Sequence, residues 1–200
     1  TPNVLVIHPA VPAQSVKELI SLARAKPKQL LYGSAGVGAP SHLSGVLFGM
    51  LAQIEVTHVT YKGSPQAMSD LLGGQLQFSF PALSGVLALI KAGKLTALGV
   101  TTRRRSSSLP EVPTIEEAGV PGYEARSWFG LMAPAGIPAP LVVKLNAKTN
   151  QVLKDAEVRD QLLRQGADPL GGSPEEFAAI IARDVEKWKK VVATGGIRAE

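Results

Sequence analysis

Residues able to do chemistry cluster in one short stretch of this chain. An apolar run ends at Tyr32, and Gly33-Ser34-Ala35-Gly36-Val37-Gly38 follows, then Ala39, Pro40, Ser41 and His42. Beyond Pro40, Leu43, Val46, Leu47 and Met50 recur at helical spacing. A strand, a glycine turn and a helix start turn free backbone N–H groups toward a bound anion. Glycine lets the backbone take positive φ and lets a ligand come close.

The spacing tests the named motifs one by one. A phosphate-binding P-loop needs Lys and Ser/Thr after its last glycine, but Ala39 and Pro40 follow Gly38. A dinucleotide fingerprint needs a third glycine three residues after the second, and Ser41 stands there. A hydrolase elbow needs glycine two residues before its serine, and Tyr32 holds that place before Ser34. A small-anion pocket and a plain connecting loop both remain as readings of the stretch.

A serine hydrolase or transferase would use Ser34 or Ser41 with His42 and Asp70. Such a nucleophile needs a base within hydrogen-bond reach and a third group to orient that base. Ser41 and His42 are neighbours on a helix, so their side chains diverge. This weakens the enzyme reading, and the expectation is a binding protein without catalytic residues or cofactor.

The remaining single residues have bland readings beside functional ones. His42 suits a structural or indirect role better than a direct ligand contact. His58 alternates inside a strand and is expected to be packed, and His8 ends a strand as a loop contact. No two histidines share metal-ligand spacing, so no metal is expected. Lys62 offers charge to an anion, although a lysine in a turn is usually solvated. Trp188, with Val185 and Val192, forms a helical apolar stripe expected in the core.

The elements around these residues alternate. Asn3 to His8 reads as a buried strand, and Ser15 with Glu18 as a capping box opening a helix to Ala25. Leu30 to Ser34 is a second strand, followed by a helix from Pro40 to Ala52. Val56 to Tyr61 alternates as a third. Lys62-Gly63-Ser64-Pro65 turns the chain, with Ser64 able to cap a helix that ends at Gly73-Gly74. Gln77 to Phe80, a helix over Ala82 to Ala92, and the strand Leu95 to Thr101 complete the pattern. Strands separated by helices of this length imply a mostly parallel sheet covered on both faces. Residues 103–122 read as a surface excursion and Tyr123 to Phe129 as extended. Helices are expected over Ala139 to Leu153, Ala156 to Arg164 and Pro174 to Thr194, with a short extended piece, Ala167 to Leu170, before the last.

Composition bounds the class. The 200 residues are 45% hydrophobic and 18% charged, which is globular rather than disordered. No cysteine is present, so there is neither a disulfide framework nor a thiolate metal site. No apolar run approaches a membrane span. The chain opens on Thr1-Pro2-Asn3 without a signal peptide and enters a strand at once, as a mature secreted domain or a fragment would. The net charge of +5 and pI near 9.6 raise nucleic acid, anionic membranes and acidic ligands as partners. The dense run Arg103-Arg104-Arg105 has no aromatic residues interleaved, so a solvated loop is expected and no nucleic-acid role.

Several stretches together carry a family resemblance: NVLVIHPAVPAQSVKELI, YGSAGVGAPSHLSGVLF, HVTYKGSPQAMSDLLGGQL, IKAGKLTALGVTT, SLPEVPTIEEAGVPGYEARSWFGLMAPAGIP and GGSPEEFAAIIARDVEKWKKVV. They cover essentially the whole chain in family order. The chain resembles the substrate-binding receptors of tripartite tricarboxylate transporters, the Bug family of periplasmic proteins. That resemblance implies a periplasmic-binding-protein type II-like α/β fold and a small carboxylate held between two lobes by backbone amides and ordered water. It implies delivery of the acid to the membrane components of a transporter. Ser34, Ala35, Gly36, Gly38, Ser41 and His42 match one contact loop, Tyr61, Lys62 and Gly63 a second, and Phe80 with Pro81 a third.

The chain also departs from the family pattern. Val46 stands where many members carry an acidic residue, and Pro81 where many carry an aspartate able to hold a ligand ammonium, so an amino-acid ligand is not expected. Family members have a further stretch before the residue matching Thr1. Residues 1–122 are therefore expected to form a complete α/β lobe. Residues 123–200 would be a crossover segment, with Trp128 as hinge packing or ligand wall, and the C-terminal helices of an incomplete lobe. Apolar stripes on those helices, Leu141, Leu145 and Val152 in the first and Phe177, Ile180, Ile181, Val185 and Trp188 in the last, are expected to drive self-association or to fold onto the intact lobe.

Overall fold

The computed structural model describes residues 2–197. The outer ends of the two expected units, Thr1 and residues 198–200, lie outside the described residues. Among the described residues no helix is long and apolar enough to cross a membrane.

The strands are β1 (Val4–Ile7), β2 (Leu31–Ser34), β3 (Thr57–Thr60), β4 (Phe78–Ser79) and β5 (Thr96–Val100). The helices between them are α1 (Val16–Ala25), α2 (Pro40–Ala52), α3 (Ser64–Leu72) and α4 (Leu83–Lys91). The five strands make one sheet in the order β3-β2-β4-β1-β5. β2 runs parallel to β3 and β4, whereas β1 is antiparallel to both its neighbours, β4 and β5. Four strands thus share a direction and β1 opposes them. A strand buried on both faces reads as a continuous apolar run whichever way it points, so its direction was not legible in VLVI.

β1 divides the core in two. Leu5 and Ile7 face a cluster with Val16, Leu19, Tyr32, Phe48, Phe78 and Phe80. Val4 and Val6 face the other cluster, with Leu71, Leu76, Leu83, Val86 and Val100. All four strand residues are buried. On the first face Phe48 lies edge-on to Phe78 and to Tyr123, and the Tyr123 hydroxyl donates to the Ser44 carbonyl at 3.0 Å.

Residues 103–122 are more than a surface excursion. Leu109, Val112, Ile115 and Val120 are buried, and the Ile115 N–H donates to Val100 O at 3.0 Å. The apolar residues pin the segment beside β5 despite its prolines. Its arginines are largely paired: Arg103 reaches Glu124 at 3.1 Å and Arg105 reaches Glu117 at 2.9 Å. Thr114 and Glu117 exchange backbone and side-chain bonds, both 3.0 Å. That bond and Arg105 hold the Glu117 carboxyl below its ordinary range.

Two caps differ from expectation. The Ser15 hydroxyl accepts the Glu18 N–H at 3.2 Å, but the Glu18 carboxylate takes the Gln14 N–H, one residue before the cap, at 2.7 Å. Ser64 does not cap α3. It is already helical, and Gly63, at φ +125°, takes the cap position without a side chain to offer. Tyr123 to Phe129 forms no strand and contributes one antiparallel bridge, Pro2 to Arg126. No strand covers Ala167 to Leu170 either.

The C-terminal helices are α5 (Ala139–Val152), α6 (Ala156–Arg164) and α7 (Pro174–Thr194). α7 opens on a full capping box between Ser173 and Glu176. Its Val191 is buried and Trp188 packs against the first core cluster. Trp128 stands edge-on to Phe177, 5.1 Å between centroids, and donates its indole N–H to Asp184 at 2.7 Å. The Lys187 ammonium donates to the Glu124 carbonyl. Trp128 is therefore packing between the crossover and α7. α5 and α6 bury no residue, and Leu141, Leu145 and Val152 are exposed.

Candidate functional site

β2, β3 and β4 are adjacent, parallel, and each runs directly toward a helix. The starts of α2, α3 and α4 therefore gather at the carboxyl edge of these strands, where ligands of open α/β sheets bind. None of the three has a side-chain cap: the cap residues are Ala39, Gly63 and Ala82, and Pro40 and Pro65 stand in the first turns of α2 and α3. By contrast α1, α6 and α7 are capped by Ser15, Asp155 and Ser173. First-turn N–H groups have no acceptor within their own helix. Leaving three such ends without a side-chain oxygen at one edge keeps donors for an anion.

The glycine loop is internally braced. The Ala35 N–H donates to Ser41 Oγ at 3.1 Å. The Gly36 N–H donates to Ser34 Oγ at 3.3 Å, and the same hydroxyl lies 3.1 Å from the Gly36 carbonyl it can donate to. The Gly38 N–H donates to His42 Nδ1 at 3.0 Å. Gly36 and Gly38 take φ of +145° and +75°, conformations that suit glycine. Ser34, Ala35, Gly36, Gly38, Ser41 and His42 thus form one hydrogen-bonded unit. The amides of Ala35, Gly36 and Gly38 are turned inward to side chains, which leaves the first turn of α2 as the donor surface of this loop.

The second loop abuts the first. The Tyr61 N–H donates to Ser34 O at 3.1 Å, and a Cβ on Gly36 would lie 3.6 Å from the Tyr61 carbonyl. The Tyr61 hydroxyl donates to Asp70 Oδ2 at 2.7 Å. Burial, with that bond, pushes the phenol up to about 12. Tyr61 thus contributes its backbone to the edge, while its hydroxyl is held on α3. Lys62 is exposed and forms no ion pair among the described residues. In the third loop the Phe80 ring is fully buried against Phe48 and Phe78, so it supports the edge from below. The carbonyls of Phe80 and Pro81 accept from Asn3 Nδ2 and the Val4 N–H.

The structure adds His58. Its Nε2 lies 2.7 Å from Ser34 Oγ, and its ring stacks on His42 with centroids 3.9 Å apart and 13° between planes. Burial lowers the pKa of His42, and burial with His42 alongside lowers that of His58 to about 4. Both are neutral at neutral pH. The sequence placed His58 on a strand but not beside Ser34. Only the parallel register that sets Tyr32 opposite His58 and Ser34 opposite Thr60 puts the two on one face.

No catalytic triad is assembled. Ser41 is used by Ala35, His42 by Gly38, and Asp70 by Tyr61. The imidazole beside Ser34 belongs to His58, and its ring partners are Tyr32 and His42 rather than an orienting carboxylate. No cluster of metal-ligating side chains occurs among the described residues. A groove of about 640 Å³ lined by Pro9, Pro12, Gln14 and Glu18 lies at the opposite sheet edge, where β1 ends and β5 begins. The one charged side chain in its lining is acidic, which does not suit an anion.

Comparison with known proteins gives a consistent result. A family model described as "Tripartite tricarboxylate transporter family receptor" matches residues 1–197. A protein of Pseudomonas sp. (strain P51), "UPF0065 protein in tcbD-tcbE intergenic region", is 37% identical over 96% of this chain and 57% of its own length. Protein BugT of Bordetella pertussis is 33% identical over 98% of this chain and 60% of its own length. Among solved structures, an R. palustris protein, Rpa4515 with adipate, superposes with TM-score 0.89 at 39% identity, covering 98% of this chain and 66% of the other. MatC of Rhodopseudomonas palustris with bound malate gives 0.80 at 30% identity, covering 96% and 66%. The chain thus spans about three-fifths to two-thirds of the length of these four proteins.

Proposed function

The chain belongs to the tripartite tricarboxylate transporter receptor family, and on that premise we propose that it receives a small organic acid at the carboxyl edge of β2, β3 and β4. The observation that carries the reading is the convergence there of three helix starts without side-chain caps. Neighbours of the same fold hold adipate and malate, so the proposed ligand is a dicarboxylate or a related acid. One carboxylate would meet the first turns of α2 and α3, with Lys62 adding charge from the rim. Family members are solute-binding proteins rather than enzymes. The proposed setting is the periplasm, with delivery to the membrane components of a tripartite tricarboxylate transporter.

Pro81 follows β4 where an aspartate would pair with a ligand ammonium, so acids without an amino group are the proposed class. No nucleic-acid role is proposed for Arg103–Arg105, because Arg103 and Arg105 are held by Glu124 and Glu117.

The test is a titration of the 15N-labelled chain with adipate, malate and aspartate, followed by amide chemical shifts. Dicarboxylates should move the signals of Ser34–His42 and Lys62–Ser64, with dissociation constants as weak as about 1 mM in this chain alone. Aspartate should move them less. Shifts confined to the Pro9–Gln14 groove, or none at all, would overturn the reading.

A further inference from the structure

We infer that His42 and His58 are a stacked positioning pair: as neutral imidazoles they hold the glycine loop in its ligand-receiving shape, and protonation releases it. The inference rests on the reading of this edge as the ligand site.

Each ring fixes one glycine. His42 Nδ1 accepts the Gly38 N–H, and a ring nitrogen accepts only when it carries no proton. Protonation there replaces an acceptor by a donor aimed at another donor. His58 Nε2 contacts Ser34 Oγ, and that hydroxyl accepts the Gly36 N–H and reaches the Gly36 carbonyl. With its proton on the Gly36 carbonyl, Ser34 Oγ accepts from His58 Nε2–H, so Ser34 is set by His58 and sets Gly36. Protonation of His58 keeps that bond and acts through repulsion against the stacked His42 ring. Gly36 and Gly38 both hold positive φ, so their amides depend on these side-chain acceptors for direction.

The surroundings oppose charge on either ring. The ring centroids lie 3.9 Å apart with 13° between planes, so two imidazoliums would repel face to face. His42 is buried in the first turn of α2, where the helix dipole disfavours a cation. From β2 the titratable neighbour is Tyr32, 4.9 Å from His58, whose phenol burial keeps neutral. α2 brings no acidic residue to its first turn, and from α3 Asp70 is occupied by Tyr61. Besides burial, the charge acting on His58 is that of His42, and no carboxylate relieves either ring.

The test replaces each ring by an amide that keeps the hydrogen bond but cannot titrate: His42→Asn puts Oδ1 where Nδ1 stood, and His58→Gln puts its amide toward Ser34. Hydrogen exchange of the Gly36 and Gly38 amides is measured without ligand at about pH 7.5 and about pH 3.5, below the His58 value, corrected for intrinsic rates. In the parent chain protection should fall by about tenfold or more on acidification, whereas the doubly substituted chain should change by less than about twofold. His42→Ala should expose Gly38 at both pH values. Adipate affinity, compared between the two chains at each pH so that ligand ionisation cancels, should follow the same pattern.

Equal acid loss in the parent and the Asn/Gln chain would overturn the inference. Should the substituted chain not fold, ring and amide titrations in the parent decide instead. A Gly38 amide midpoint shared with an imidazole midpoint supports the pair, and a separate midpoint overturns it. The exchange readout uses no ligand. Absence of adipate binding with pH-dependent protection intact would therefore sink the proposed function and leave the positioning role standing.

Discussion

A Cβ placed on Gly45 would lie 2.2 Å from the Tyr32 ring, far inside contact distance. Tyr32 is buried beneath α2 and flanked by His58 and Phe78, so it cannot swing away. Gly45 is what lets α2 sit down on β2 and bring its first turn to the edge. Ala for Gly in a helix interior ordinarily stabilises by about 0.5–1 kcal/mol. Here overpacking of about 1–3 kcal/mol should win, and Gly45→Ala should lower the urea midpoint. Gly85 in α4 has nothing within 4 Å of a built Cβ, so the same substitution there should be neutral or stabilising. Opposite signs are the expected result, and a stabilising Gly45→Ala would contradict the packing described.

Donors at the edge are backbone groups, which predicts how ligand affinity responds to mutation. Lys62 is exposed and contributes through screened charge, so Lys62→Ala should weaken dicarboxylate binding by about 1 kcal/mol or less. Gly36 lies at φ +145°, which a β-branched residue does not tolerate, and Gly36→Val should abolish binding while the fold persists by circular dichroism. The reverse outcome, with Lys62 indispensable and Gly36→Val harmless, would mean the anion is held by a side chain.

Much of this site was legible because its signals are local. The turn Gly33–Gly38, Pro40 at a helix start and the apolar spacing of α2 act within a few residues, and the structure keeps each of them. Contacts set by pairing between strands were not legible. His58 reaches Ser34 across the β2–β3 register, and nothing in VTHVTY states which strand lies beside it. The same applies to β1, whose antiparallel insertion between β4 and β5 leaves its alternation unchanged. Residues 103–122 read as a surface excursion for another reason: prolines and arginines dominate the composition, while the four buried apolar residues that hold the segment are spread among them.

The histidine pair should also shape global stability. Both imidazoles titrate below the ordinary histidine value in the fold, His58 near 4. Between pH 6.5 and that value the unfolded chain binds more protons than the folded one, so stability falls as pH falls through this window. The urea midpoint should therefore drop steadily from about pH 7 to about pH 4. In the His42→Asn, His58→Gln chain the drop should be shallower. An identical slope in both chains would assign the acid sensitivity to other groups.

Asp184 is the anchor between the crossover and α7. Its side chain is 14% exposed, accepts the Trp128 indole N–H at 2.7 Å and lies 3.7 Å from Arg183. Asp184→Ala leaves that indole donor without its acceptor, at a cost of about 1–3 kcal/mol. The effect should be local, because the sheet and the second core cluster lie within residues 4–112 and α7 reaches the first cluster at its far end, through Val191 and Trp188. Limited proteolysis should then cut within residues 126–138 faster than in the parent, with the urea midpoint of the lobe little changed. Equal loss of both would show that the C-terminal helices and the lobe unfold as one unit.

The outer face of α5 supplies the last prediction. Leu141, Val143, Leu145 and Val152 are 44%, 68%, 40% and 52% exposed, and the preceding segment adds Phe129 at 88% and Leu131 at 71%. Leu141, Leu145 and Val152 recur on one face of the helix, and apolar area of a few hundred Å² exposed to water marks a surface that something covers. Each Å² withdrawn from water is worth roughly 25 cal/mol, so even partial coverage drives association at high protein concentration. The expected occupant is a second copy, and sedimentation should show a concentration-dependent dimer. Leu141→Gln with Leu145→Gln should shift it toward monomer without lowering the urea midpoint, since neither side chain is in the core. A chain that stays monomeric at every concentration, with no apolar dye bound, would show that this face is stable in water as it stands.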